Sequence, residues 1–167
     1  ETSVPVIDWS RTETDRDGFL KEVVHALGEI GFMCLTGHPQ FDAKTQARTM
    51  AQAHAFFDAP YEVQASASVA NTPHFRGHAP PAYTPSQLSE LFLYGVDSAP
   101  HAHYTDESVP AWQRLFFGQN TWPKKSQKTT NAESVLGEKD ELLPGFQNEV
   151  ESLCERYITL HHELGEL

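Results

Sequence analysis

The sequence predicts a helix-rich α+β domain with a few short strands. Three observations carry this expectation: a strand, helix, strand succession at the start, a proline-rich middle that suits neither helix nor ladder, and a long apolar-periodic helix at the end. Val4-Pro5-Val6-Ile7-Asp8-Trp9 is a β-branched run with Pro near its start, which suits a leading or edge strand. Phe19, Leu20, Val23, Val24, Leu27 and Ile30 recur as one helical stripe, and Gly31 follows as a C′ residue that tolerates the left-handed conformation. Phe32-Met33-Cys34-Leu35-Thr36 then reads as an apolar strand, stopped by Gly37-His38-Pro39.

Asp42 is a good N-cap for a second helix, whose expected face is Ala43, Ala47, Met50, Ala51, His54 and Phe57, with Pro60 closing it. Asn71 to Pro85 carries four prolines and a glycine and is predicted to be a loop. Leu91-Phe92-Leu93-Tyr94 ahead of Gly95 reads as a third strand, although a helical turn would share its short apolar pattern. Trp112, Leu115, Phe116 and Phe117 suggest a short amphipathic turn within the loop from Ser98 to Asn120. Pro144 at a helix N1 position opens the long pattern Phe146, Val150, Leu153, Cys154, Tyr157, Ile158, His161, Leu164. The 167 residues are expected to form one domain: residues 1–123 as strands, helices and loops, 124–139 as a polar linker-like segment, and 140–167 as the long helix. The chain opens on Glu1 and reads as a piece of something longer.

Twelve Lys and Arg against 23 Asp and Glu give a net charge of −11, which repels phosphate backbones and anionic lipid heads. Nucleic acid and membrane surfaces are therefore not expected partners. No apolar run reaches the roughly 18 residues of a spanning helix, and no secretory signal pattern is present. Two cysteines set in apolar segments, Cys34 and Cys154, fit a reducing, cytoplasmic setting and core packing.

Taken in order, Val4-Pro5-Val6-Ile7-Asp8, Gly31-Phe32-Met33, Thr36-Gly37-His38, Phe56-Phe57-Asp58-Ala59-Pro60-Tyr61-Glu62, Phe75-Arg76-Gly77-His78, Ser89-Glu90-Leu91-Phe92 and Asn120-Thr121-Trp122-Pro123 resemble the N-terminal domain of the iron(II)/2-oxoglutarate-dependent dioxygenases, the isopenicillin N synthase-like group. The resemblance covers most of the chain. It implies a catalytic double-stranded β-helix, or jelly roll, C-terminal to Leu167, whose sheet the short strands would extend. It also implies a parent enzyme that uses iron(II) and 2-oxoglutarate to hydroxylate, desaturate or cyclise a small organic molecule, as in secondary metabolism. On that basis Phe75, Arg76, His78 and Tyr94 are the substrate-side residues, with Arg76 either pairing an anionic substrate group or tying its loop to the catalytic domain. The chain departs from the family pattern at Gly37, Pro39, Ala59, Gln64 and His78.

Members of that family hold iron with His-x-Asp/Glu plus a distant His and grip 2-oxoglutarate with Arg-x-Ser. The only His-x-Asp/Glu here is His161-x-Glu163, and on a helix those positions lie about 200° apart, so they cannot chelate one ion. No Arg-x-Ser occurs. Neither metal nor cofactor is therefore expected to be held by this chain alone. Among the remaining histidines, His101 and His103 with Asp106 read as a zinc or nickel loop site or as a solvated loop. His161 and His162 read as one half-buried and one exposed helical residue, His38 as the residue ordering its turn, and His74 and His78 as pocket lining or as a loop stacked on its own domain. Pro80-Pro81-Ala82-Tyr83 matches a short polyproline ligand pattern that also arises by accident. No Gly-x-Ser-x-Gly elbow or phosphate-binding Gly-rich loop occurs. A free-standing acidic, His-rich binding or scaffold module is the alternative reading.

Overall fold

In the computed structural model, which describes residues 3–81, 89–96, 108–116, 118–124 and 142–167, the apolar runs gather into two cores, one in each of two compact units. The secondary structure is α+β, mostly helix with four strands of three residues among the described residues.

The first unit holds residues up to Met50 together with Glu155–Leu167. Strand β1 (Val6–Asp8) pairs in parallel with β2 (Cys34–Thr36), with Ile7 opposite Leu35. Parallel strands need a crossover, and it is helical. Helix α1 (Arg11–Thr14) leads into α2 (Arg16–His25), which continues as a π-helical turn over Ala26–Ile30 and ends at Gly31 with φ 95°. Ile7, Phe19, Val23 and Ala26 form the core, with Trp9, Leu20, Met33, Leu35 and Leu164 around them. The buried stripe is narrower than expected: Val24 and Leu27 are each one residue past an inward position, about 100° round the helix, and stay exposed.

His38 is buried at the end of β2 and orders its turn. Its Nδ1 accepts the Gln40 backbone N–H at 3.2 Å, which places the ring proton on Nε2. That nitrogen donates to Glu163 at 2.8 Å, on the last turn of α6 (Pro144–Glu166), while the rings of Trp9 and Phe41 flank the imidazole at 4.6 and 5.4 Å. Asp42 accepts the Thr45 N–H at 2.7 Å and caps α3 (Ala43–Phe57), the role expected of it.

The second unit spans Ala51–Cys154. Its core is Phe56, Trp122, Phe146 and Val150, with Phe57, Phe92, Tyr94 and Leu143 against it. Pro60 ends α3 as expected and at once opens α4 (Tyr61–Ser66), a helix that the periodicity did not advertise. The proline-rich stretch contains a strand: β3 (Gly77–Ala79) pairs antiparallel with β4 (Leu91–Leu93), with His78 opposite Phe92. Its ladder partners lie 12 to 16 residues further along the chain, so the local composition gave no sign of it. Helix α5 (Ala111–Phe116) occupies the expected amphipathic turn.

Three further expectations are corrected. The inward side chain of α3 is Phe56, whereas Met50 is exposed, because alanines lend little direction to a stripe and one phenylalanine decides it. Cys34 is exposed rather than in the core, since β1 and β2 have no third strand beside them among the described residues. His161 and His162 are both exposed; the inward residues of that turn are Glu163, through His38, and Leu164. The expected linker beyond Lys124, the cluster His101, His103 and Asp106, and the end of Pro80-Pro81-Ala82-Tyr83 lie outside the described residues.

Three outcomes are expected. Phe56→Ala removes the fully buried ring of the second core and lowers stability by about 3–5 kcal/mol, read by urea unfolding. Gly77→Ala forces a side chain into φ 110° with its Cβ against the Ala67 carbonyl oxygen, so the cost is at least about 1–2 kcal/mol, measured the same way. The third concerns acid. The backbone N–H of Thr45 holds the Asp42 carboxyl below the ordinary carboxylate range, and the Arg11 guanidinium, followed by the Gly18 N–H, does the same for Asp15. A depressed carboxylate stabilises the fold at pH values above its unfolded range, and that contribution is lost as pH falls below about 4. Asp42→Asn keeps an acceptor without the titration, so the melting temperatures of wild type and variant should differ most near neutrality and converge toward pH 2, the difference shrinking in high salt.

Candidate functional site

The substrate-side candidates all lie in the second unit, on a loop, the β3–β4 hairpin and the segment after it. The backbone tightens at residues 74–76, where the Arg76 N–H donates to the His74 carbonyl at 2.9 Å. That two-residue closure puts Phe75 at the tip of a γ-turn with its ring partly exposed, 38%, edge-on to Phe116 at 6.4 Å.

The same three residues meet α5 in step. A helix leaves its last four carbonyls without intrahelical donors. Here His74 Nδ1–H donates to the Arg114 carbonyl at 2.9 Å, the Phe75 backbone N–H to the Leu115 carbonyl at 3.0 Å, and Arg76 Nη2 to the Phe116 carbonyl at 2.6 Å. Arg76 Nη1 donates to the Phe75 carbonyl at 3.1 Å. Both terminal nitrogens of the guanidinium are thus spent on backbone oxygens, at a helix C-terminus where a cation is favoured. Its Nε is buried and makes no hydrogen bond among the described residues.

His78 is buried, with its side chain 3% exposed, and Nε2 lies 3.0 Å from a Glu90 carboxylate oxygen. The register explains the pair: Glu90 is two residues from Phe92, the partner of His78, so all three share one face of the ladder. The imidazole sits edge-on to Phe56 at 5.5 Å. Tyr94 is half-buried against the second core. Beyond it the Asn120 amide brackets Gly95, accepting its N–H at 3.0 Å and donating to its carbonyl at 2.7 Å, as a strand neighbour would.

These contacts place Phe75 outward, His78 inward and Tyr94 between. Glu90 and Asn120 support the site without having been picked out for that role. A carboxylate two residues from the partner of a buried histidine is the one signal that finds Glu90 once the hairpin register is known. His74 and His78 stack on their own unit rather than lining an enclosed pocket among the described residues. No group of three or more His, Cys, Asp or Glu is placed to hold a metal ion among the described residues. The best-buried histidines have Nε2 committed, His38 to Glu163 and His78 to Glu90. The described residues therefore do not fit an iron(II) facial triad.

Residues 4–125 match the family model described as non-haem dioxygenase in morphine synthesis N-terminal. A 2-oxoglutarate-dependent dioxygenase, frbJ, of Dothideomycetidae sp. (strain 11243) is 35% identical over 81 residues, covering 46% of this chain and 21% of that relative. The matched stretch is thus about a fifth of the relative's length. No solved structure matches the chain. A match over residues 4–125 takes in the β1–β2 ladder, the loop at 74–76, the β3–β4 hairpin and α5, and the chain belongs to the family of non-haem dioxygenase N-terminal domains.

Proposed function

We propose that this chain serves as the N-terminal domain of an iron(II)/2-oxoglutarate-dependent oxygenase that hydroxylates, desaturates or cyclises a small organic substrate in the cytoplasm, within secondary metabolism. The observation that carries the reading is the family match over residues 4–125, seconded by the likeness to a 2-oxoglutarate-dependent dioxygenase. In this reading iron and 2-oxoglutarate are held by a C-terminal catalytic domain of the same protein. The chain's own contribution is surface. Val4, Val6, Val24, Leu27 and Phe32 are all more than half exposed or close to it, beside a ladder of two strands among the described residues, a composition that suits docking on a larger sheet. Phe75, Arg76, His78 and Tyr94 form the substrate-side set: Phe75 meets the ligand, while His78 and Tyr94 hold the hairpin and its exit behind it.

No membrane-crossing role enters this reading; among the described residues no helix is long and apolar enough to cross a membrane. Calorimetry under anaerobic conditions tests the proposal. The protein encoded by the whole reading frame should bind iron(II) and then 2-oxoglutarate with one-to-one stoichiometry, and the 167-residue chain alone should bind neither at micromolar concentration. Tight binding by the chain alone, or none by the whole protein, overturns the assignment.

A further inference from the structure

We propose that Arg76 is a positioning residue: it acts through α5, locking the Phe75–Phe116 ring pair into one surface, and is not a receptor for an anionic group. The inference rests on reading this surface as the substrate side. It follows from where the guanidinium nitrogens go. Nη1 and Nη2 donate to the carbonyls of Phe75 and Phe116, and Nε is buried without a partner among the described residues, so an approaching carboxylate or phosphate finds no free fork. The contact is also in register. Residues 74, 75 and 76 each satisfy one of the carbonyls of residues 114, 115 and 116, so the loop and the helix end move as one body.

What the clamp presents is apolar. Phe75, Trp112, Leu115 and Phe116 are between 38% and 57% exposed around it. Arg76 also lies close over Gly95, where a Cβ would come within 2.6 Å of Nη2, so the guanidinium plane is walled on that side by backbone. Lysine at this position would keep the charge but could reach only one of the two carbonyls.

Nuclear magnetic resonance on the 15N-labelled 167-residue chain reads the clamp directly. In Arg76→Ala the Phe75 amide should exchange roughly tenfold faster or more, and the Overhauser contact between the Phe75 and Phe116 rings should disappear, while amides of the Phe56 core stay protected. Arg76→Lys should restore the ring contact in part. In the wild type, millimolar sulfate or benzoate should leave the Arg76 Nε–H resonance where it is. Unchanged Phe75 exchange in Arg76→Ala, or a saturable shift of the Nε–H signal with either anion, overturns the proposal; should Arg76→Ala fail to fold, Arg76→Lys and the anion titration still decide it. Turnover of 2-oxoglutarate by the whole-frame protein is a separate readout. Its absence in wild type counts against the functional reading and leaves the clamp intact.

Discussion

Phe56 is fully buried, and four rings from four places in the sequence close on it: Phe146 stacked at 4.6 Å, Phe92 at 4.9 Å, Phe57 at 5.1 Å and His78 at 5.5 Å. Each ring belongs to a different element or neighbouring turn, so this one packing arrangement ties the end of α3, both strands of the hairpin and the start of α6 together. Burial of such a side chain is worth about 1.5–3 kcal/mol, and each well-oriented aromatic pair adds about 0.5–1.5 kcal/mol. The hairpin has three residues per strand and would not hold without it. Phe75, Arg76, His78 and Tyr94 all lie on that hairpin or within two residues of it.

Polar groups follow a second recurring rule. Helix C-termini, whose carbonyls lack intrahelical donors, are closed here by side chains from elsewhere in the fold. Gln64 Nε2 donates to the carbonyls of Phe56 and Phe57 at 3.3 and 2.7 Å, ending α3. Arg16 reaches the Glu166 carbonyl at 3.3 Å, ending α6, and His74 with Arg76 closes α5. Two of these three closures use arginine, whose charge suits the negative end of a helix dipole. Several of the functional-looking cations and imidazoles are therefore occupied with backbone.

The two most deeply buried histidines serve as hydrogen-bonding groups. His38 and His78 do this in the same way, each with a ring packed on aromatics and Nε2 on a carboxylate.

The helices over residues 16–30, 43–57 and 144–166, the strands around Ile7, Leu35 and Phe92, the Asp42 cap and the Gly31 stop were all legible in the sequence. Their causes are local: 3.6-residue periodicity, β-branched runs, a capping carboxylate and a glycine that accepts positive φ. The family was legible too, because its marks are short motifs in a fixed order. Strand β3, the direction in which α3 turns its face, the exposure of Cys34 and the hydrogen-bond partners of Arg76 and His78 were not. The hydrogen-bonded pairs join residues that no local pattern links, 40 residues apart for Arg76 and Phe116 and 12 for His78 and Glu90. Such a pairing is decided only when the chain packs, because a hydrogen bond across that separation imposes no periodicity on either segment.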